Sequence, residues 1–372
     1  MQFSVIRAES VRMERSNRTW DKVPASSIPT SQRSQEWCQR LFSYADPQTL
    51  SEMGFSCGVE RHQRDDFSVP VYMTVDATES RTLWRGGGRD NFGEPRGIQI
   101  PWSRKWRVGA EGKVVILSQD GSEWDLTGAT LSPGLLDRLR SSLDAENRQA
   151  GYRGGGNVIL ASSVSHSDPT EGNQGGSAVG AFSKGLVQPS EIRMRRLSHA
   201  LRMATSPNSR MTGPEAPSWM GVEHREIGTR YGCAVSPCAE FRSRELRGDL
   251  NLTVPDGSRF QLLLTRTEIL SRLAANGMSG KTLDTASVLA QGLVDYGFFI
   301  EGSERQRAAI VADGSSPTEW RELGVDETTT DVMLRGLILS PLDIRCLEPP
   351  VSLLRSGVQT QRSGPASQVF YP

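Results

Sequence analysis

No stretch of the 372-residue chain holds the ~18 consecutive apolar residues that a membrane-spanning helix needs, so no membrane span is expected. The segment from Met1 to Trp20 has no apolar core of a secretory signal, which points to synthesis in a cytoplasm and release by some other route. Charge of one sign is also missing. The 43 basic and 43 acidic side chains cancel, so the chain as a whole has no electrostatic pull on nucleic acid or an anionic bilayer. Cysteine is scarce and odd in number, which argues against a disulfide framework. Cys233 and Cys238 are near enough in sequence to pair across a loop, but free buried thiols are the expectation. No Cys/His group has zinc spacing, and no metal is expected. The glycine triplets at 86–88 and 154–156 lack the G-x-G-x-x-G spacing and the following helix that place phosphates on backbone amides. No cofactor is expected.

What the chain does have is 37 glycines and 20 prolines with few long helical patterns, a composition that favours a loop-rich β protein. The organising stretch is Lys113 to Leu131. Val114-Val115-Ile116-Leu117 is an apolar run, Asp120-Gly121 interrupts it, and Glu123-Trp124-Asp125-Leu126-Thr127 alternates after it. An Asp-Gly pair between two such runs predicts a hairpin, because a tight turn needs positive φ and glycine takes it without steric cost. By period two, Trp124 and Leu126 share one face, and Glu123, Asp125 and Thr127 the other.

Further strands are expected at Val69–Met73, Arg81–Trp84, Ile98–Trp102, Asn157–Ser162, Leu197–Met203, Arg259–Leu264 and Phe298–Ile300, with Ala308–Val311 beside the last. Helical spacing of apolar residues predicts helices over Ser31–Tyr44, Pro133–Asn147, Thr265–Asn276 and Thr282–Tyr296, and a turn from Pro189 to Ile192. Gly54–Asp66 and Ser163–Gly180 read as loops. The fold class expected is β-rich α+β, with a β-sandwich or jelly-roll-like core, several packed helices and extended termini. Residues 1–66 read as an N-terminal arm, 67–312 as the core domain and 313–372 as a C-terminal extension.

The residues do not dictate a reaction. Ser177, after two glycines and near His166 and Asp168, imitates a nucleophile site but fits no G-x-S-x-G elbow, so a polar loop is the simpler reading. Glu123, Asp125, Asp295 and Glu301 are carboxylates near element ends, and surface placement is the default for them; a facing pair would suit glycoside hydrolysis. His199 sits in an apolar run between Leu197 and Leu201, where a ring must find a hydrogen-bond partner, so a structural histidine is the first expectation. Trp124 and Asp125 offer an aromatic face and an acceptor suited to a sugar, although a core role is commoner for tryptophan. The candidate glycan-contacting residues are Trp102, Trp124, Asp125, His199, Asp295 and Tyr296.

A series of short motifs runs along the chain. They are Val69-Pro70-Val71-Tyr72, Gly97-Ile98-Gln99-Ile100-Pro101-Trp102, Asp120-Gly121 with Trp124-Asp125-Leu126, Glu191-Ile192 with Leu197-Ser198-His199-Ala200-Leu201, Pro255 to Leu262, and Ala290 to Ile300. In order and spacing this series resembles a family of secreted actinobacterial proteins and minor tail proteins of the phages that infect those bacteria. The resemblance covers roughly residues 67–312 and brings no catalytic residues with it. With no signal peptide, it implies the phage branch: a structural virion component at the tail tip, bound to other tail proteins as a homo- or hetero-oligomer and contacting host cell-wall polysaccharide. A polysaccharide-cleaving enzyme and a free glycan-binding module are the alternatives.

Overall fold

A computed structural model describes residues 22–44, 50–60, 67–85, 95–109, 112–129, 158–161, 163–167, 182–205, 257–302 and 308–348. Within these residues the architecture is mixed α and β, with three sheets of six, four and three strands. In chain order the strands are β1 (Gly54–Ser56), β2 (Val71–Met73), β3 (Glu79–Arg85), β4 (Pro95–Trp102), β5 (Val114–Leu117), β6 (Glu123–Thr127), β7 (Val158–Ala161), β8 (Ser163–Ser167), β9 (Leu201–Thr205), β10 (Arg259–Leu262), β11 (Phe298–Gly302), β12 (Ala309–Val311) and β13 (Ile344–Cys346). The helices are α1 (Ser34–Tyr44), α2 (Pro189–Arg193), α3 (Arg266–Ala275), α4 (Gly280–Asp295) and α5 (Pro317–Glu322).

The large sheet runs β1-β12-β9-β11-β10-β13, the second β2-β5-β6-β8 and the third β4-β3-β7. Parallel pairs occur in all three: β1 with β12, β9 with β11, β2 with β5 and β3 with β7. That mixture departs from the antiparallel pairing of a jelly roll.

The predicted hairpin is β5–β6, with Ile116 opposite Trp124 and Val115 opposite Asp125. Gly121 takes φ 90° in its turn, and the Asp120 carboxylate accepts from the amide and hydroxyl of Ser122, both at 2.8 Å. The α3 helix starts on a capping box in which Thr265 and Glu268 bond reciprocally.

Period-two alternation assigns the sheet faces. Leu201, Met203, Phe260, Leu262, Phe298 and Ile300 turn toward α3 and α4 and share a core with Ile269, Leu273, Leu289 and Leu293. On the opposite face Ala204, Ala309 and Val311 join Val71, Met73, Val115 and Leu117 of the second sheet. The other face of the second sheet gives Val114, Ile116 and Leu126 to a third cluster with Leu83, Ile100 and Ile159 of the third sheet. The second sheet is therefore buried on both faces, which explains the unbroken apolar run of β5.

Several expectations are corrected. The boundaries at 66 and 313 do not separate arms from a body among the described residues. Trp37, Leu41, Phe42 and Phe55 lie in the main core, as do Trp320, Val325, Met333, Leu334, Leu337 and Ile338. Each fully buried side chain of this kind contributes roughly 1.5–3 kcal/mol. Six of them together rival the whole net stability of a domain. Both edges of the large sheet are closed by these same stretches. Phe55 N–H donates to Thr330 O at 2.8 Å on the β1 side, and Ser31 N–H donates to Cys346 O at 2.9 Å on the β13 side.

Gly54–Asp66 contains strand β1, and Ser163–Gly180 contains strand β8. Ala309–Val311 pairs with β1 and β9, not with β11, because β9 lies between them. The helix expected at Pro133–Asn147, and the residues Ser177, Asp168, Cys233 and Cys238, lie outside the described residues. No helix of the described residues is long and apolar enough to cross a membrane.

Gly297 is the tightest joint in the large sheet. It has φ 74°, and an added Cβ would meet the Phe260 carbonyl oxygen at 2.1 Å. Its own carbonyl accepts from Leu201 N–H at 2.9 Å, which starts the β9–β11 ladder. Gly297→Ala is expected to lower unfolding free energy by about 3 kcal/mol or more, from backbone strain and a clash with main chain. Urea denaturation of the full chain measures it, and an unchanged midpoint would show the joint to be tolerant.

Candidate functional site

The six candidate residues fall into two groups on different sheets. Trp102 ends β4 and Trp124 lies in β6, and both belong to the cluster between the second and third sheets. His199 precedes β9, while Asp295 ends α4 and Tyr296 follows it, just ahead of β11 of the large sheet.

In the first group the fold assembles four aromatic rings. Tyr72 stacks on Trp106 with centroids 4.7 Å apart and planes 4° from parallel. Trp106 meets Trp102 edge-on at 5.5 Å and 66°. Trp124 and Tyr72 are half-buried at the margin of this cluster. Trp102 is fully buried and its indole Nε1 has no hydrogen-bond partner. It is a core residue, out of reach of a glycan at the surface.

Strand alternation explains the group. Val71 and Met73 point toward the large sheet, so Tyr72 between them points toward the third. Burial pushes the Tyr72 phenol up to about 12; the Arg107 backbone hydrogen bond opposes this and the Asp313 charge adds to it. The phenol donates to Arg107 O at 3.2 Å and accepts from Arg107 N–H at 2.7 Å.

Asp125 points away from these rings. It and Glu123 lie on the face of β6 that turns toward the large sheet, and they are 2 % and 1 % exposed, which corrects the surface expectation. The cause is the chain at 182–183, which lies against that face. Asp125 Oδ2 accepts from Phe182 N–H at 3.2 Å. Glu123 Oε1 accepts from Ser183 N–H at 2.9 Å and Oε2 from Ser183 Oγ–H at 2.5 Å. Charge comes from across the gap: Arg202 of β9 donates to Phe182 O at 2.8 Å, and both Arg202 and Lys113 lie over the Phe182 ring at 5.7 Å. These carboxylates clamp a backbone segment. Main chain occupies their front, where a hydrolase would place a glycosidic bond.

In the second group His199 precedes β9 and does not lie within a strand, so period two does not set its direction. Its Nδ1 is 2.9 Å from Ala200 O, and because a carbonyl only accepts, Nδ1 carries a hydrogen. Nε2 is 3.0 Å from Glu191 Oε1, while Glu191 Oε2 accepts from Gln188 N–H at 2.9 Å and caps α2. The ring ties α2 to the start of β9, as a structural histidine does. Tyr296 packs on Ala200 and Phe299. Its carbonyl accepts from buried Arg259, through Nε at 2.8 Å and Nη2 at 2.5 Å. Asp295 is exposed and accepts from Gln291 at 2.9 Å; no hydrogen bond or ion pair joins it to His199. The side chains of Glu301 and His166 lie outside the described residues.

Sequence reasoning missed Tyr72 and Arg107 as partners of the aromatic group, and Arg202 and Arg259 as buried cations. The out-of-phase position of Tyr72 between Val71 and Met73 was the available signal for the first. Nothing in the sequence marks the arginines.

Among the described residues no group of three or more His, Cys, Asp or Glu side chains has a metal-binding arrangement. No family model, no curated protein and no solved structure matches the chain.

If Glu123 and Asp125 are clamps, Glu123→Gln and Asp125→Asn each lower unfolding free energy by about 2 kcal/mol, the loss of charge-assisted bonds to buried amides. Urea titration reads this directly. Unchanged stability with altered glycan binding would return Asp125 to the role of a contact residue.

Proposed function

We propose that the chain is a structural minor tail protein of an actinobacteriophage, located at the tail tip among other tail proteins and touching host cell-wall polysaccharide. The observation that carries this reading is the motif series, which falls almost wholly on elements that build or join the three sheets. Val69 to Tyr72 enters β2, Gly97 to Trp102 lies in β4, Trp124 to Leu126 lies in β6, and Ala290 to Ile300 joins α4 to β11. A series that tracks the framework and no catalytic cluster suits a protein defined by its fold. The core is read as a β-sandwich built on the stacked second and third sheets.

The aromatic group supports contact with sugar. Trp124 and Tyr72 keep part of their surfaces open at the margin of a rigid cluster, and half-open rings with polar tips suit sugar faces. The hydrolase alternative loses its best carboxylate pair to the Phe182–Ser183 clamp. The free glycan-binding alternative shares the aromatic group and differs only in lacking a virion.

Purified virions from a lysate are expected to contain the chain, with antibody raised against it labelling the tail tip in electron micrographs. A chain that folds and is expressed, yet is absent from washed virions, would overturn the reading.

A further inference from the structure

We propose that the turn at Ser103–Arg107 is the contact point for a polyanionic glycan, one whose sugars or linkers carry carboxylate or phosphate. This rests on the wall-contact reading above and names the chemistry of the polymer.

The chain as a whole is electrically balanced. Three exposed cations, Arg104, Lys105 and Arg107, stand beside the aromatic group. Ser103 to Trp106 is a turn closed by Trp106 N–H donating to Ser103 O at 3.0 Å. Arg104 and Lys105 occupy its tip, Arg107 follows, and all three are exposed. Between them Trp106 is pinned inward by Tyr72 and Trp102. The Tyr72 hydroxyl holds both backbone groups of Arg107, so the cations stand on a fixed base. Buried Ser103 adds to it, its Oγ accepting from Thr78 Oγ1 at 3.3 Å.

Among the described residues the nearby acids do not cancel this charge. Glu79 is shared, with Oε1 on Arg81 at 2.6 Å and Oε2 on Arg104 at 3.1 Å. Asp76 is exposed nearby on the segment that joins Trp102 through Thr78 N–H. Lys105 and Arg107 have no carboxylate partner among the described residues. Two unpaired cations beside a half-open tyrosine suit a chain of charged sugars: the cations take the anionic groups and the ring edge takes a C–H face.

A nucleic acid fits less well. Single strands bind by stacking bases on open aromatic faces. Here one face of Trp106 is covered by Tyr72, and the residue is 7 % exposed.

The test uses the full chain and biolayer interferometry on immobilised polygalacturonate, poly(glycerol phosphate), neutral dextran and oligo-dT. Binding to one or both anionic glycans, weakened by salt and absent on dextran, is expected. The double variant K105E/R107E weakens it about tenfold or more, in line with two lost surface charge contacts. The neutral variant K105Q/R107Q weakens it less and guards against a folding artefact, and R321E, a reversal on α5, leaves it unchanged. Equal binding to dextran, tighter binding to oligo-dT, or K105E/R107E binding like the parent would each overturn the proposal. Loss of the chain from virions with glycan binding intact would overturn the tail reading and leave this inference standing.

Discussion

Asp313 is the residue on which the arrangement of sheets depends. Its buried carboxylate accepts from Val71 N–H at 3.1 Å and Ser315 N–H at 2.8 Å. Its backbone N–H donates to Val187 O at 3.0 Å, and its carbonyl accepts from Trp320 Nε1 at 2.7 Å. Asp313, just past the end of β12, thus holds β2 of the second sheet, Val187 ahead of α2, and the indole of α5. A buried carboxylate is costly unless it is well supplied with donors. Here one donor is in its own turn and the other is the main-chain amide of β2, so satisfying the charge fixes β2 against the end of β12.

The same economy recurs through the protein. Glu123 and Asp125 hold Phe182–Ser183, Glu191 divides itself between a helix cap and His199, and Arg259 gathers the Tyr296 carbonyl and Val23 O at 2.6 Å. Each is a charged side chain turned onto backbone. They explain why carboxylates and a histidine that look chemically available in sequence are structural in the fold. Near the aromatic rings, the side chains of Arg104, Lys105 and Arg107 do face solvent.

Local elements were legible wherever short-range chemistry decides them. Asp120-Gly121 marked its hairpin, and helical spacing of apolar residues marked α3 and α4. Elements set by distant partners were not legible. Gly54-Phe55-Ser56 is too short for a period and forms a strand only because β12 offers an edge. Residues 313–372 were expected to be an extension because they lie outside the motif series, yet Trp320, Met333, Leu334 and Leu337 are part of the main core. Of the candidate site, Trp102 and Trp124 do share one cluster, but Trp102, named as a glycan contact, is in the core, and Asp125, expected at the surface, is buried. Strand alternation says which residues share a face, not whether another sheet covers it.

The stretches around Phe55 and Leu347 belong to one cooperative body with the centre of the large sheet. Native-state hydrogen exchange of the full chain tests it most directly, by comparing the amides of Phe55 and Leu347 with that of Ile300, which donate to Thr330 O, Arg259 O and Ser258 O. All three are expected to exchange through the same global opening. Exchange of Phe55 and Leu347 by easy local opening, with Ile300 still protected, would contradict it.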